Sequence, residues 1–133
     1  MQRPAPSITR DTAFYWEGAG RGELLIQDCG RCGVLCHPPA PLCPSCHSPR
    51  RTVKQMSGRG RLTSFIIIHH PPIPGFELPI VVGTVELEEG PRVTTNICDA
   101  ARDELELGMP VEVFFAATAE EALGVPLFRP VRA

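Results

Sequence analysis

The sequence predicts a small, mainly β protein: a short N-terminal helix, a cysteine-held ribbon and a five-stranded barrel. Three observations carry that expectation. The 133 residues include 12 glycines and 15 prolines, about a fifth of the chain, well above the usual share and too many for a helix bundle. Short β-branched and apolar runs recur after residue 59, separated by turn residues, as strands do. Before them, Cys29-Gly30-Arg31-Cys32 and Cys43-Pro44-Ser45-Cys46 form two C-x2-C pairs. Hydrophobic residues make up 43 %, enough for one modest core and too many for wholesale disorder.

Residues 1–7 are Pro-rich and read as a loose arm. Thr9 or Asp11 is placed to cap a short helix over residues 10–19. That segment holds Phe14, Tyr15 and Trp16, three of the eight aromatics. Such a cluster docks either onto the protein's own body or onto a partner. Glu23-Leu24-Leu25-Ile26-Gln27-Asp28 reads as a strand, while residues 29–46 carry no periodicity and cannot build an apolar core.

Arg61 to Ile68 is a long β-rich run, ended by Pro71, Pro72, Pro74 and Gly75. Pro79 to Leu87 is a second strand, with Glu88-Glu89-Gly90 as the turn into a return strand over residues 92–97. Residues 101–108 form a helical turn closed by Gly108. Val111 to Phe115 is a fourth strand, and Val125 to Pro130 a fifth, kept to an edge by its prolines. Five short strands, a long first loop and a small helix before the fourth strand match the oligonucleotide/oligosaccharide-binding (OB) barrel. The expected division is an arm and helix over residues 1–22, a ribbon over 23–57 and a barrel over 58–133.

No stretch of eighteen apolar residues exists, so no membrane-spanning helix is expected. The start, Met1-Gln2-Arg3-Pro4, has no apolar signal-peptide core, which points to the cytoplasm. In a reducing compartment six cysteines are not three disulfides. The spacing of the two C-x2-C pairs makes Cys29, Cys32, Cys43 and Cys46 the ligands of one Zn²⁺ per chain, with iron as the chemical rival. Four thiolates leave no open coordination position, so the role is structural. Cys36 and Cys98 stand outside the pairs and read as spectators; His37 and His47 read as loop histidines.

Charge divides unevenly. Residues 1–61 carry nine basic and four acidic side chains, net +5; residues 62–133 carry four and eleven, net −7. An acidic barrel repels phosphate, which weakens the alternative that this is a single-stranded nucleic-acid-binding protein. Arg50, Arg51, Lys54, Arg59 and Arg61 form a basic stretch free of acids. Arg59 and Arg61 either meet coenzyme A phosphates, line a partner surface or face solvent. His69-His70 is the one acid/base candidate, and no nucleophile stands near it in sequence. There is no G-x-S-x-G and no Gly-rich phosphate loop, so no catalytic residue is expected.

The order of Phe14-Tyr15-Trp16-Glu17-Gly18, the two cysteine knuckles with Pro38-Pro39 between them, Gly58-Arg59-Gly60-Arg61-Leu62, Pro74-Gly75-Phe76, Val85-Glu86-Leu87, Gly108-Met109-Pro110-Val111 and Phe128-Arg129-Pro130 resembles one family. This is the rubredoxin-like zinc-ribbon plus OB-fold family, designated a domain of unknown function and associated with acyl-CoA metabolism. The resemblance spans about residues 9–131. It implies a rubredoxin-like zinc ribbon whose ligands are the four paired cysteines. It also implies an accessory subunit serving a thiolase-like enzyme, or a hotdog-fold hydratase, on acyl-CoA thioesters. Some relatives belong to thiolase-like aldolases that cleave steroid side-chain CoA esters, with the catalytic residues on the partner. On this view the chain is not an enzyme by itself and meets acyl-CoA only through the complex. Phe14, Tyr15, Trp16 and Phe128 are candidate apolar anchors for the partner interface, with packing on the protein's own body the alternative for the helix aromatics.

Overall fold

A computed structural model describes residues 3–132. Helix α1 (Ala13–Gly20) is followed by β1 (Leu25–Cys29), β2 (Leu35–Cys36) and β3 (Arg51–Gln55). The second sheet comprises β4 (Arg59–Ile68), β5 (Ile80–Leu87), β6 (Arg92–Asn96), β7 (Pro110–Ala117) and β8 (Gly124–Pro130), with a 3₁₀ turn at Arg102–Glu104 between β6 and β7. The first three strands form an antiparallel ribbon sheet in the order β2-β1-β3. The other five run β6-β5-β4-β7-β8. A bridge between Ile97 and Phe128 joins the ends of that order, where the Cys98 N–H donates to the Phe128 carbonyl at 2.8 Å. The sheet thus curls into a nearly closed five-stranded barrel.

Three sequence expectations need correction. The helix starts at Ala13 rather than residue 10, because the Thr9 carbonyl accepts the Thr12 and Ala13 N–H groups in a preceding turn. β3 was hidden: all five of its residues are exposed, so no apolar alternation marks it, and backbone pairing with β1 alone makes it a strand. The arm is anchored, not loose, at Arg3. Its carbonyl accepts the Ala119 N–H at 3.0 Å, and its guanidinium donates to Asn96 Oδ1 and lies 4.8 Å over the Phe76 ring. Met1 and Gln2 of that arm lie outside the described residues.

A β-bulge at Thr63 sets which side of β4 faces inward. Strict alternation from fully buried Leu62 would send Ser64 and Ile66 to the core. The extra residue shifts the parity, so Phe65 and Ile67 pack on the core instead and Ile66 faces outward. One core serves the whole molecule: Leu24, Ile26 and Met56 of the ribbon join Leu62, Val85, Leu87, Val93, Val111 and Phe128 of the barrel.

Helix α1 is short and lies across β8 with backbone close to backbone. A β-carbon at Gly124 would stand 2.7 Å from the Ala19 carbonyl oxygen, and one at Gly20 would strike the Ala122 carbonyl. Gly124→Ala is therefore expected to cost about 1–3 kcal/mol, since a carbonyl cannot swing aside as a flexible side chain does. Trp16, the single tryptophan, reports the loss. Its emission shifts to the red as the helix lifts, and an unchanged spectrum and denaturation midpoint would contradict the close packing.

Candidate metal centre

Each cysteine pair builds the same local turn. In the first knuckle the Gly33 N–H donates to the Cys29 carbonyl and the Cys29 N–H to the Val34 carbonyl, both at 3.0 Å. In the second, His47 N–H to Cys43 carbonyl and Cys43 N–H to Ser48 carbonyl repeat those bonds at 3.0 Å. The residue after each second cysteine turns left-handed, Gly33 at φ 78° and His47 at φ 61°. Glycine takes that conformation freely, whereas the His47 side chain costs about 1–2 kcal/mol there. Gly33 and His47 thus occupy equivalent places, and nothing in the residue type of His47 announces it.

The turns aim four sulfurs at one point. Cys29 Sγ lies 3.6 Å from Cys46 Sγ, and Cys32 Sγ lies 3.6 Å from Cys43 Sγ. All four sulfurs lie within 4.8 Å of one another, and none is in a disulfide. Sulfurs at Zn–S distances of about 2.3 Å in a tetrahedron stand about 3.8 Å apart, so the donor set fits one such ion. Backbone N–H groups complete the shell: Arg31 and Cys32 donate to Cys29 Sγ, Ser45 and Cys46 to Cys43 Sγ, each at 3.4 Å.

Those donors favour thiolates. The N–H groups of Cys32 and then Arg31 hold the Cys29 thiol down at about 6, and the Cys46 N–H leads in lowering Cys43. Cys32 is pushed up to about 12. The Val34 N–H favours its thiolate, but desolvation and the sulfurs of Cys43, Cys29 and Cys46 outweigh it. Four crowded sulfurs resist sharing several negative charges, and a dication removes that conflict.

The other candidates are dispersed. Cys36 is half-buried, its thiol donates to the Pro38 carbonyl at 3.4 Å, and burial followed by the Cys43 charge pushes its pKa up. Cys98 sits at the barrel seam, its thiol raised by burial. His37 lies with its ring 5.0 Å from that of Tyr15, and burial lowers its pKa. His69 and His70 are exposed at the end of β4, and among the described residues neither hydrogen-bonds to a carboxylate.

The proposed interface residues part company. Phe128 is 0 % exposed and Tyr15 is 7 % exposed, so both are core residues. Phe128 therefore offers a partner no surface, and Tyr15 packs on the protein's own body, one of the two dockings open to the Phe14–Trp16 cluster. Phe14 and Trp16 are half-buried at the core's margin, and Trp16 stands edge-on to Tyr15 at 4.9 Å. Trp16 faces a groove of about 230 Å³ shared with Val82, Thr95 and Pro126. Arg59 donates to Glu88 at 2.9 Å, which raises the arginine's pKa and lowers the glutamate's. Arg61 donates to the Gly108 carbonyl at 3.0 Å. Two of the five cations therefore face acids that sequence distance had concealed: Glu88 for Arg59, and Asp11 for Arg51 at 2.8 Å.

A closed four-thiolate ribbon fused to an OB barrel defines the class: a zinc-ribbon/OB-fold protein whose metal holds structure together. Family models match the description "ChsH2, rubredoxin-like zinc ribbon domain" over residues 16–50 and "ChsH2, C-terminal OB-fold domain" over residues 53–116. The chain belongs to the DUF35 family. It is 38 % identical over 103 residues to a DUF35 domain-containing scaffold protein of Methanothermobacter thermautotrophicus, spanning 76 % of this chain and 77 % of that protein.

Two longer relatives are more alike in sequence. A probable enoyl-CoA hydratase alpha subunit of Thermomonospora curvata is 47 % identical, covering 96 % of this chain and 40 % of its own length. The 3-oxo-4,17-pregnadiene-20-carboxyl-CoA hydratase alpha subunit of Mycobacterium tuberculosis is 40 % identical, covering 83 % of this chain and 35 % of its own. The chain thus spans well under half of either relative. Among solved structures, the Ltp2-ChsH2(DUF35) aldolase superposes with a TM-score of 0.87 at 46 % identity, covering 94 % of this chain and 98 % of the matched one. No helix among the described residues is long and apolar enough to cross a membrane.

Proposed function

We propose that this chain is a non-catalytic, zinc-containing accessory subunit of a thiolase-like enzyme acting on acyl-CoA thioesters, with steroid-derived thioesters the favoured substrates. The observation that carries this is the near end-to-end likeness to the DUF35 chain of an aldolase complex. The chemistry of the chain agrees. Its metal ligands form a closed set, and a coordinatively saturated ion neither activates water nor polarises a carbonyl. The relatives named as CoA hydratase alpha subunits support the CoA-thioester part of this reading. The working division is arm and helix over residues 1–22, ribbon over 23–57 and barrel over 58–133. Arg59 and Arg61 then serve the partner surface or the coenzyme A phosphates.

Co-expression with a thiolase-like protein tests the proposal. The expected result is a stable complex with about one zinc per copy of this chain and aldol-cleaving activity that needs both components. A thiolase-like enzyme that never associates with this chain and is fully active alone would sink it.

A further inference from the structure

The second half of β4 is paired on one side only. β7 pairs with Arg59, Gly60 and Arg61, and its preceding turn holds Leu62 through the Gly108 N–H at 2.7 Å and the Met109 carbonyl at 3.0 Å. From Ser64 to Ile68 the pairing is to β5 alone, and among the described residues no further backbone bond reaches this stretch. Alternate residues of an antiparallel strand direct their N–H and C=O groups to opposite sides. One edge therefore presents unpaired donors and acceptors at strand spacing.

Exposed edges are normally guarded by charge, proline or a covering element. Thr63-Ser64-Phe65-Ile66-Ile67-Ile68 contains neither charge nor proline. The bulge at Thr63 turns Ile66 outward, where it is 60 % exposed. Ile66 lies opposite Val82 and Ile68 opposite Ile80, so the outer face beside the edge is apolar, and no ionisable side chain occurs from Ile80 to Val85. One end of the strip carries a cation, Arg61, whose register partner Glu86 is taken up by Arg92. Arg61 is bound to a carbonyl, with no carboxylate within salt-bridge distance among the described residues, and His69-His70 follow the last strand residue.

We propose that this edge accepts an extended strand from the catalytic partner, apolar at its centre and acidic at the end that meets Arg61. The proposal rests on the accessory-subunit reading and names the surface it uses. Free backbone groups call for another backbone in strand conformation rather than a helix or a small molecule. A second copy of this chain fits less well. Antiparallel self-pairing would set Arg61 of one copy against a segment of the other that contains no acid from residue 59 to 70, whereas an acidic end on a partner strand complements it.

The test uses the full chain and the thiolase-like protein that co-purifies with it. Hydrogen exchange is expected to show fast exchange in the free chain at the alternate amides of Ser64–Ile68 that face away from β5, and protection of those amides in the complex. Ile66→Lys, at an exposed position that tolerates charge, is expected to weaken the complex by about 30-fold or more, while Ile66→Val retains it. Equal affinity for Ile66→Lys, with the edge amides unprotected in a complex that still forms, overturns this surface and leaves the accessory role standing. A wild-type chain that binds no thiolase-like protein removes the accessory role and the proposal together. A homodimer of the free chain that Ile66→Lys dissolves, with partner binding unaltered, also overturns it, in favour of a second copy.

Discussion

Cys43→Ser is expected to abolish stoichiometric zinc and unfold the ribbon. Cys43 is 3 % exposed, its sulfur lies 3.6 Å from that of Cys32, and it takes two backbone N–H bonds. In zinc modules the binding free energy is folding free energy, on the order of 10–16 kcal/mol for a complete structural site. Residues 29–50 bury little apolar surface of their own, so nothing local replaces the ion. The damage spreads because Leu24, Ile26 and Met56 share the core with the barrel. Metal analysis, thermal unfolding with and without a chelator and limited proteolysis over residues 24–55 check it. Cys36→Ser is the informative partner variant. Cys36 lies outside the four-sulfur cluster, so zinc is expected to stay at one per chain with stability changed by no more than about 1 kcal/mol. Loss of zinc in Cys36→Ser, or its retention in Cys43→Ser, would contradict the ligand assignment.

Phe128→Ala is expected to cost about 3–5 kcal/mol, the largest effect of any single barrel residue. Phe128 is the largest of the fully buried side chains and sits where β8 meets the chain leaving β6. The backbone bond from Cys98 N–H to the Phe128 carbonyl survives the substitution, so the loss is that of a filled cavity at the seam. Urea denaturation followed by circular dichroism measures it. Leu107→Ala serves as comparison: Leu107 is 68 % exposed, and its truncation is expected to move stability by no more than about 0.5 kcal/mol. A cost below about 1 kcal/mol for Phe128→Ala would mean that the barrel is not closed through this ring.

Phe128 also shows where sequence reasoning stops. Its place in an apolar terminal segment is equally compatible with an interface anchor and a core residue, because hydrophobicity states a preference for burial without naming the surface that buries it. The same ambiguity covers Tyr15 and Trp16, adjacent in sequence, of which one is buried and the other only half so. The barrel strands were legible through their β-branched runs, yet the facing of Ser64 to Ile68 was not, because one bulged residue reverses the parity of everything after it. β3 is illegible in the sequence for a different reason. An exposed two-sided strand has no hydrophobic period, and only its register with Leu25 to Cys29 declares it.

The metal centre was the most legible part. A C-x2-C turn is a local object: four consecutive residues, their own N–H···S bonds and one left-handed residue shape each half, and those interactions span five positions or fewer. Spacing and side-chain chemistry alone therefore determined the shape of each half and named the four candidate ligands. Joining the two halves, closing β6 onto β8, pairing Arg59 with Glu88 and leaving half of β4 with an open edge all depend on residues far apart in the chain. Only the tertiary structure decided those features, because each is set by which surfaces meet once the backbone has paired.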